Sequence, residues 1–346
     1  MRLQFNRDFT FSDARSLVSY LASLGISHVY ASPIMTARRG SMHGYDVVDP
    51  TQISPVLGGE DEFTSLVKEL RRYELGIIVD IVPNHMAADN ENPWWMDVLA
   101  KGRESRYAKY FDIDWNSPTA NLRRKILLPI LGRRLCEVLD AGEITLAYDS
   151  ERGCFVMRYF DHVLPIAANA SLTENPLAAF NPSSPGGRER LHALLQRQHY
   201  QLAWWRAAGE EINWRRFFDI NDLAAIRVED DEVFETVHAA VFRLYASGWI
   251  DGIRVDHIDG LAQPDAYCRR MRGRLGELER VRPAGAPRGR AYFIVEKILA
   301  RKESIPIGWD VDGTTGYDFM DEASALLHDK RGEQPLGDLW RHISGR

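Results

Sequence analysis

The sequence predicts a (β/α)8 barrel, legible through about five strand-helix units and carrying a long insertion after the third strand. Short apolar segments alternate with amphipathic helical ones, and the strand candidates are apolar on both faces, as in a parallel sheet covered by helices. Charged side chains stand at the C-terminal ends of those strands, where such a barrel gathers its chemistry. With 346 residues, 45% of them hydrophobic, the chain is long enough to bury one large α/β core or two smaller ones.

The elements follow in order. Leu3 to Phe5 reads as a short strand, and Asp13 to Leu24 as a helix, with Ala14, Leu17, Val18 and Leu21 at helical spacing and Gly25 as its stop. His28 to Ser32 is the second strand. A loop through Gly40 and Gly44 leads to a helix from about Gly59 to Tyr73, and then to the strongly apolar strand Gly76 to Val82. Residues 84 to about 190 break the rhythm with Pro, Asn and strand-like pieces such as Cys154 to Tyr159, which predicts an insertion packed on the third strand's C-terminal end. Helices are expected from about Arg188 to Ala208 and from Asp231 to Ser247, then a strand at 252 to 256, a helix from Pro264 to Glu279, a solvated Pro, Gly and Arg-rich loop from Val281 to Arg290, and a strand from Tyr292 to Glu296. The expected division is 1–83, a first barrel segment; 84–190, the insertion; and 191–346, the continuation of an incomplete barrel.

Composition removes several function classes. The 43 basic and 49 acidic residues give a net charge of −6 and no basic stripe, which excludes nucleic acid as a partner. The N-terminus lacks a signal-peptide core and no run of eighteen apolar residues occurs, so the expectation is a cytoplasmic protein with no membrane partner. Cys136, Cys154 and Cys268 are too few and too scattered for a disulfide framework or a zinc site. No acidic cluster makes a calcium site compelling, and no metal or cofactor is expected. The nine Trp, thirteen Tyr and fourteen Phe fill the core, with some free to stack on sugar faces.

Asp80, Arg254, Asp256 and Glu296 sit at or just before strand ends. Arg254 and Asp256 alternate with Ile253 and Val255, so a strand points both to one side. They form either a buried ion pair closing a strand or a carboxylate kept ionised by its Arg partner, as a nucleophile requires. Glu296 follows Phe-Ile-Val, whose desolvation would raise its pKa toward that of an acid catalyst; the alternative is an ion pair with Lys297. Four such charges at equivalent strand ends argue for a shared cleft built for retaining glycoside chemistry, with one ionised carboxylate and one protonated carboxyl.

Asp80-Ile-Val-Pro-Asn84-His85, Gly252-Ile-Arg-Val-Asp256-His257 and Ile294-Val-Glu296-Lys297 resemble, in order, three signature segments of the α-amylase family of retaining α-glucoside enzymes. The resemblance implies a TIM barrel of the α-amylase type, with Asp256 as nucleophile, Glu296 as general acid/base and Arg254 orienting the nucleophile. It further implies that His85 hydrogen-bonds the sugar at the cleavage subsite, that Asn84 and Asp80 brace the site, and that Tyr45, in His43-Gly-Tyr-Asp46, stacks under the same sugar. A core role for Tyr45 and a structural one for His85 remain alternatives.

Further segments narrow the resemblance: Arg2 to Phe5, Asn92 to Leu99, Lys125 to Gly132, Ile212 to Asn221, Asp256 to Gly260 and Gly313 to Asp318 are together similar to the maltooligosyltrehalose synthases within that family. This implies an intramolecular transglucosylase of trehalose biosynthesis that converts the reducing-end α-1,4 linkage of a maltooligosaccharide or α-1,4-glucan into an α,α-1,1 linkage, working beside a maltooligosyltrehalose trehalohydrolase. Such an enzyme must hold its leaving glucose and exclude water, for which Asp259, His257, Trp214, Arg215, Phe217, Asp219 and Tyr317 are candidates. The third family aspartate, expected after a seventh strand, has no counterpart here, so the sequence reads as the N-terminal part of a longer enzyme, unstable or inactive alone. The alternatives are a hydrolase or other transglucosylase of the same family, and an inactive glucan-binding barrel.

Overall fold

The structure, a computed structural model, describes residues 1–167, 170 and 172–346. Its main sheet has six parallel strands in chain order: β1 (Arg2–Leu3), β2 (His28–Ala31), β3 (Gly76–Ile81), β4 (Gly252–Val255), β5 (Tyr292–Val295) and β6 (Gly313–Thr314). Strand β3 is buried at every position, because apolar residues occupy both faces of a strand that has the sheet on either side and helices behind it. Strand β6 is only two residues long, paired Ile294↔Gly313 and Val295↔Thr314, and is too short to carry any periodicity.

Helices cover the outside. The helix expected over 13–24 is two helices, α1 (Phe11–Ser16) and α2 (Val18–Ser23), hinged at Leu17. The start moves to Phe11 because the Asp13 carboxylate accepts the Thr10 backbone N–H at 2.7 Å and fixes the helix end there. The break follows because the Leu17 N–H turns to the Ala14 carbonyl, a tighter closure than the α-helical one. Helix α3 (Gly59–Arg72) buries Phe63, Leu66, Val67 and Leu70 at helical spacing, and places Glu60, Asp61 and Glu62 in its first turn and Arg71 and Arg72 in its last, as the helix dipole favours. Helix α4 (Asp231–Ala246) is capped by Asp230, whose side chain accepts the N–H groups of Glu232 and Val233. Helix α5 (Pro264–Glu279) begins with Pro264, whose fixed φ suits a first turn. Helices α6 (Tyr317–Ala325) and α7 (Glu333–Ser344) follow β6.

Between β3 and α4 the chain leaves the main sheet. It builds a three-stranded antiparallel sheet from 144–149, 154–159 and 162–165, a parallel pair from 126–131 and 200–204, and a third sheet from 85–87, 216–217 and 220–225. The excursion therefore extends past residue 190. The helix expected from 188 to 208 ends at Gln196, and a strand runs from Tyr200 to Trp204. Buried Gln198 stops that helix, donating to the Leu194 carbonyl and accepting the Ala167 N–H, each at 2.7 Å, after which Tyr200 and Leu202 turn inward. The return strand pairs Ala225 with His85, and the Ile226 N–H reaches the Asn84 carbonyl at 2.9 Å. That pairing fixes the residues just past the end of β3.

Candidate active site

Parallel register sets Arg254 of β4 directly beside Asp80 of β3. Beyond the strands, the Asp256 N–H donates to the Ile81 carbonyl and the Glu296 N–H to the Val255 carbonyl, which holds both carboxylates at the same level. The Arg254 guanidinium then joins three acids. Its Nη1 donates to both oxygens of Asp80 at 2.8 and 3.0 Å and to Asp256 Oδ1 at 2.6 Å, and its Nη2 lies 3.1 Å from Glu296 Oε1. The Arg254 side chain is 5% exposed, and three carboxylates surrounding one buried cation cannot all ionise cheaply.

The two acids shift in directions opposite to those expected from the sequence. Burial, with the Asp80 and Glu296 charges adding to it, pushes Asp256 up to about 7 against the pull of Arg254. Glu296 is half-buried, but Arg254 and the His257 backbone N–H, 2.9 Å from Oε2, outweigh that desolvation and hold it below the usual carboxylate range. Sequence neighbours suggested a dry Glu296 and an Arg-stabilised Asp256. In space both acids share the same arginine, and Asp256 is the more buried of the two.

Asp80 is wholly buried and saturated with donors. Besides Arg254, it accepts the hydroxyls of Tyr45 at 2.7 Å and Tyr30 at 2.9 Å. Burial still raises its pKa, and burial with the Asp80 charge raises those of both tyrosines, so the two hydroxyls keep their protons more tightly than in water. Arg2 ties the tyrosines together, donating to Tyr30 at 2.8 Å and to Tyr45 at 2.9 Å. Tyr30 was not picked out from sequence, and Arg2 only as part of a resemblance segment and not as a site residue; the available signal was a tyrosine alternating with buried Val29 and Ala31 near the end of β2.

A second layer sits against this cluster. His85 is buried, with Nε2 at 3.2 Å from the Tyr45 carbonyl, and burial first, then His257, depresses its pKa to about 3, so its ring is neutral at working pH. Phe217 packs between two imidazoles, 4.4 Å from the His85 ring and 4.8 Å from the His257 ring. His257 adopts a left-handed conformation, φ 48, which aims its N–H at Glu296. Its ring occupies the space beside Gly260, where an added Cβ would lie 2.1 Å from His257 Cδ2.

The other expected residues divide. Arg215 is consumed by structural bonds, from Nη1 to Asn84 Oδ1 and the Gly260 carbonyl, from Nη2 to the Ile226 carbonyl and from Nε to Asp112, so it braces Asn84 rather than facing a sugar. Asp259 pairs with Lys297, which also holds Glu303; this is why Lys297 is not the partner of Glu296. Trp214 is core: its Nε1 donates to the Leu127 carbonyl and its ring packs edge-on against Trp95. The Asp219 carbonyl accepts from Arg216. Tyr317 begins α6, and no hydrogen bond or ring contact joins it to the cluster among the described residues. Nor, among those residues, does any group of three or more His, Cys, Asp or Glu form a candidate metal site.

Two carboxylates sharing one buried guanidinium, with a neutral imidazole and tyrosine hydroxyls around them, form an arrangement of the kind that retaining displacement at an anomeric carbon uses. Residues 15–165 match the alpha-amylase catalytic domain. The chain is 41% identical over 96% of its length to a Mycobacterium tuberculosis protein assigned as a maltooligosyl trehalose synthase, covering 38% of that protein. It superposes on the maltooligosyltrehalose synthase of Arthrobacter ramosus with TM-score 0.81, 37% identity and 99% of this chain covered, against 40% of that one. A glycosyltrehalose synthase from DSM5389 gives TM-score 0.82 at 40% identity, with 100% of this chain and 43% of that one covered. The chain thus spans about two fifths of the length of these relatives.

Proposed function

We propose that this chain, of which residues 15–165 match an alpha-amylase catalytic domain, houses the nucleophile and the acid/base of an intramolecular transglucosylase that turns the reducing-end α-1,4 linkage of a maltooligosaccharide into an α,α-1,1 linkage. The observation that carries this reading is the single Arg254 guanidinium bonded to Asp256 and Glu296 at once, within a chain that resembles maltooligosyltrehalose synthases over nearly all its length.

In the first displacement, Asp256 Oδ attacks the anomeric carbon of the penultimate glucose. The C1–O bond breaks and Glu296 gives its proton to the departing O4 of the terminal glucose, leaving a β-glycosyl ester on Asp256. The bound glucose then turns and its anomeric hydroxyl attacks C1 of the glycosyl ester while Glu296 takes the hydroxyl proton; the C1–Oδ bond breaks and the Asp256 carboxylate departs unchanged. Two inversions give net retention, and no atom is gained or lost. Before the first step the proton held on the Asp256 side must pass to Glu296. A sugar covering half-buried Glu296 desolvates it, and developing positive charge at C1 favours ionised Asp256, so both effects drive that transfer. Arg254 stays ionised throughout because its pKa is raised further by Asp80, despite its burial.

His85, Tyr45, Phe217 and His257 line the cleavage subsite on this reading, while Asp80, Asn84, Arg215 and Tyr30 position them. Asp259 and Tyr317 belong to the outer acceptor side. The product would pass to a maltooligosyltrehalose trehalohydrolase in the cytoplasm. No helix among the described residues is long and apolar enough to cross a membrane. The test is product analysis with maltopentaose and the full polypeptide carrying this sequence. A non-reducing, trehalose-ended isomer is expected, whereas glucose with a shortened chain as the main product overturns the transglucosylase reading in favour of a hydrolase.

A further inference from the structure

The end of the main sheet opposite the catalytic cluster contains a cavity of about 340 Å³. Its walls are the starts of four strands, at His28, Gly76, Asp251 and Tyr292, and its remaining lining is rich in arginine, with Arg71, Arg282, Arg288 and Arg290 set against Asp251 and Glu74. Asp251 is already fully engaged: Arg71 holds both its oxygens at 2.8 Å and the Ile77 N–H adds a third bond at 2.7 Å. Its charge is neutralised before any ligand arrives.

Two donors in this lining have no acceptor among the described residues. The Arg282 side chain is 6% exposed and lies 4.2 Å over the Tyr245 ring; its Nη1 donates to the Tyr245 and Ile250 carbonyls, but its Nε is buried without a partner. The Tyr245 hydroxyl is buried in the same lining and is also unpartnered. Buried polar groups are almost always satisfied, so two orphaned donors in one arginine-rich cavity indicate a missing acceptor. Arg288 and Arg290 add positive charge at the same lining, Arg290 being shared with Asp310.

We propose that this cavity is a second binding site, for a small phosphomonoester. A phosphate brings three acceptor oxygens and a charge that matches guanidinium forks, and the volume exceeds what bare phosphate fills while suiting a phosphate attached to a ring of sugar size. The site is separate from the catalytic cluster: β3 carries Gly76 in the cavity wall and Asp80 in the cluster, four residues or about 13 Å apart.

Calorimetric titration of the full polypeptide carrying this sequence with glucose 6-phosphate, at fixed ionic strength, tests it. Saturable binding is expected, unchanged by saturating maltopentaose, and weakened about tenfold or more by Tyr245→Phe, which removes only the hydroxyl, and by Arg288→Glu, on a surface loop where folding is spared. No saturable binding up to roughly 10 mM overturns the proposal, as does binding that both variants leave intact or that maltopentaose displaces. Inorganic phosphate binding as tightly as the ester would overturn the ester assignment.

Discussion

Replacing Gly260 with alanine tests how the second layer supports Glu296, the proposed acid/base. The new Cβ would stand 2.1 Å from His257 Cδ2, 2.4 Å from His257 Nε2 and 2.8 Å from Asn84 Oδ1. Carbon atoms rest about 3.5–4.0 Å apart, so the overlap exceeds 1 Å and neither neighbour yields freely. The His257 ring packs against Phe217 and Phe218, and Asn84 Oδ1 is bonded to Arg215 at 3.1 Å. Overpacking of this kind costs about 1–3 kcal/mol. The residue that must move donates its N–H to Glu296 at 2.9 Å, so a comparable loss in the transition state lowers kcat/KM by roughly 5- to 150-fold. The assay pairs thermal melting with initial rates of non-reducing product from maltopentaose. Adding His257→Ala, which removes the obstructing ring and keeps the N–H, should recover part of the stability lost in Gly260→Ala. Native Tm and kcat/KM within about twofold in the single variant, or a double variant no more stable than the single, refutes the reasoning.

Asp256→Asn should abolish turnover by roughly three or more orders of magnitude while retaining oligosaccharide binding. The same variant should be more stable at high pH. Asp256 has a pKa of about 7 when folded against an ordinary 3.8, so the folded state binds its proton more tightly. That stabilising contribution is complete below about pH 4 and is lost as pH rises through 7. The gain from Asn is on the order of 1–4 kcal/mol near pH 8 and absent near pH 4; equal Tm differences at both pH values would contradict it. Tyr30→Phe removes a donor to Asp80 and the acceptor for Arg2, which should cost about 1–3 kcal/mol by denaturant titration, and an unchanged midpoint disproves the bracing role. Helix α7 exposes Leu336, Leu339, Trp340 and Ile343 along one stripe, so the 346-residue chain by itself should self-associate, and Trp340→Glu should shift it toward monomer in sedimentation; a native chain that is already monomeric rules this out.

Much of the cluster was legible because a strand's end is a local property. Asp80 and Glu296 each follow a run of apolar β-formers, Asp256 closes a short strand that carries Arg254 two positions earlier, and parallel register brings these ends to one edge. Tyr30 and Arg2 were not legible as site residues because their part in it depends on Asp80, up to 78 positions away, and nothing local marks the pairing. Arg215 looked free to grip a hydroxyl, yet its donors are taken by carbonyls and side chains from distant segments. The hinge at Leu17 and the stop at Gln198 escaped helical periodicity for the same reason: a hydrogen bond decided each, and the apolar pattern runs on past both.

The sequence by itself determined the strand-helix alternation, the acids and arginine at the strand ends and the family resemblance, since these rest on residue type and short-range order. Only the tertiary structure decided how these acids shift one another's titration. Three carboxylates separated by up to 216 positions converge on one buried guanidinium, and their pKa values follow from mutual repulsion and shared desolvation, which no residue carries alone. The cavity at the opposite end of the sheet is likewise a product of folding: its unpaired donors, Arg282 Nε and the Tyr245 hydroxyl, are ordinary in the sequence and become conspicuous only when burial removes the water that would otherwise satisfy them.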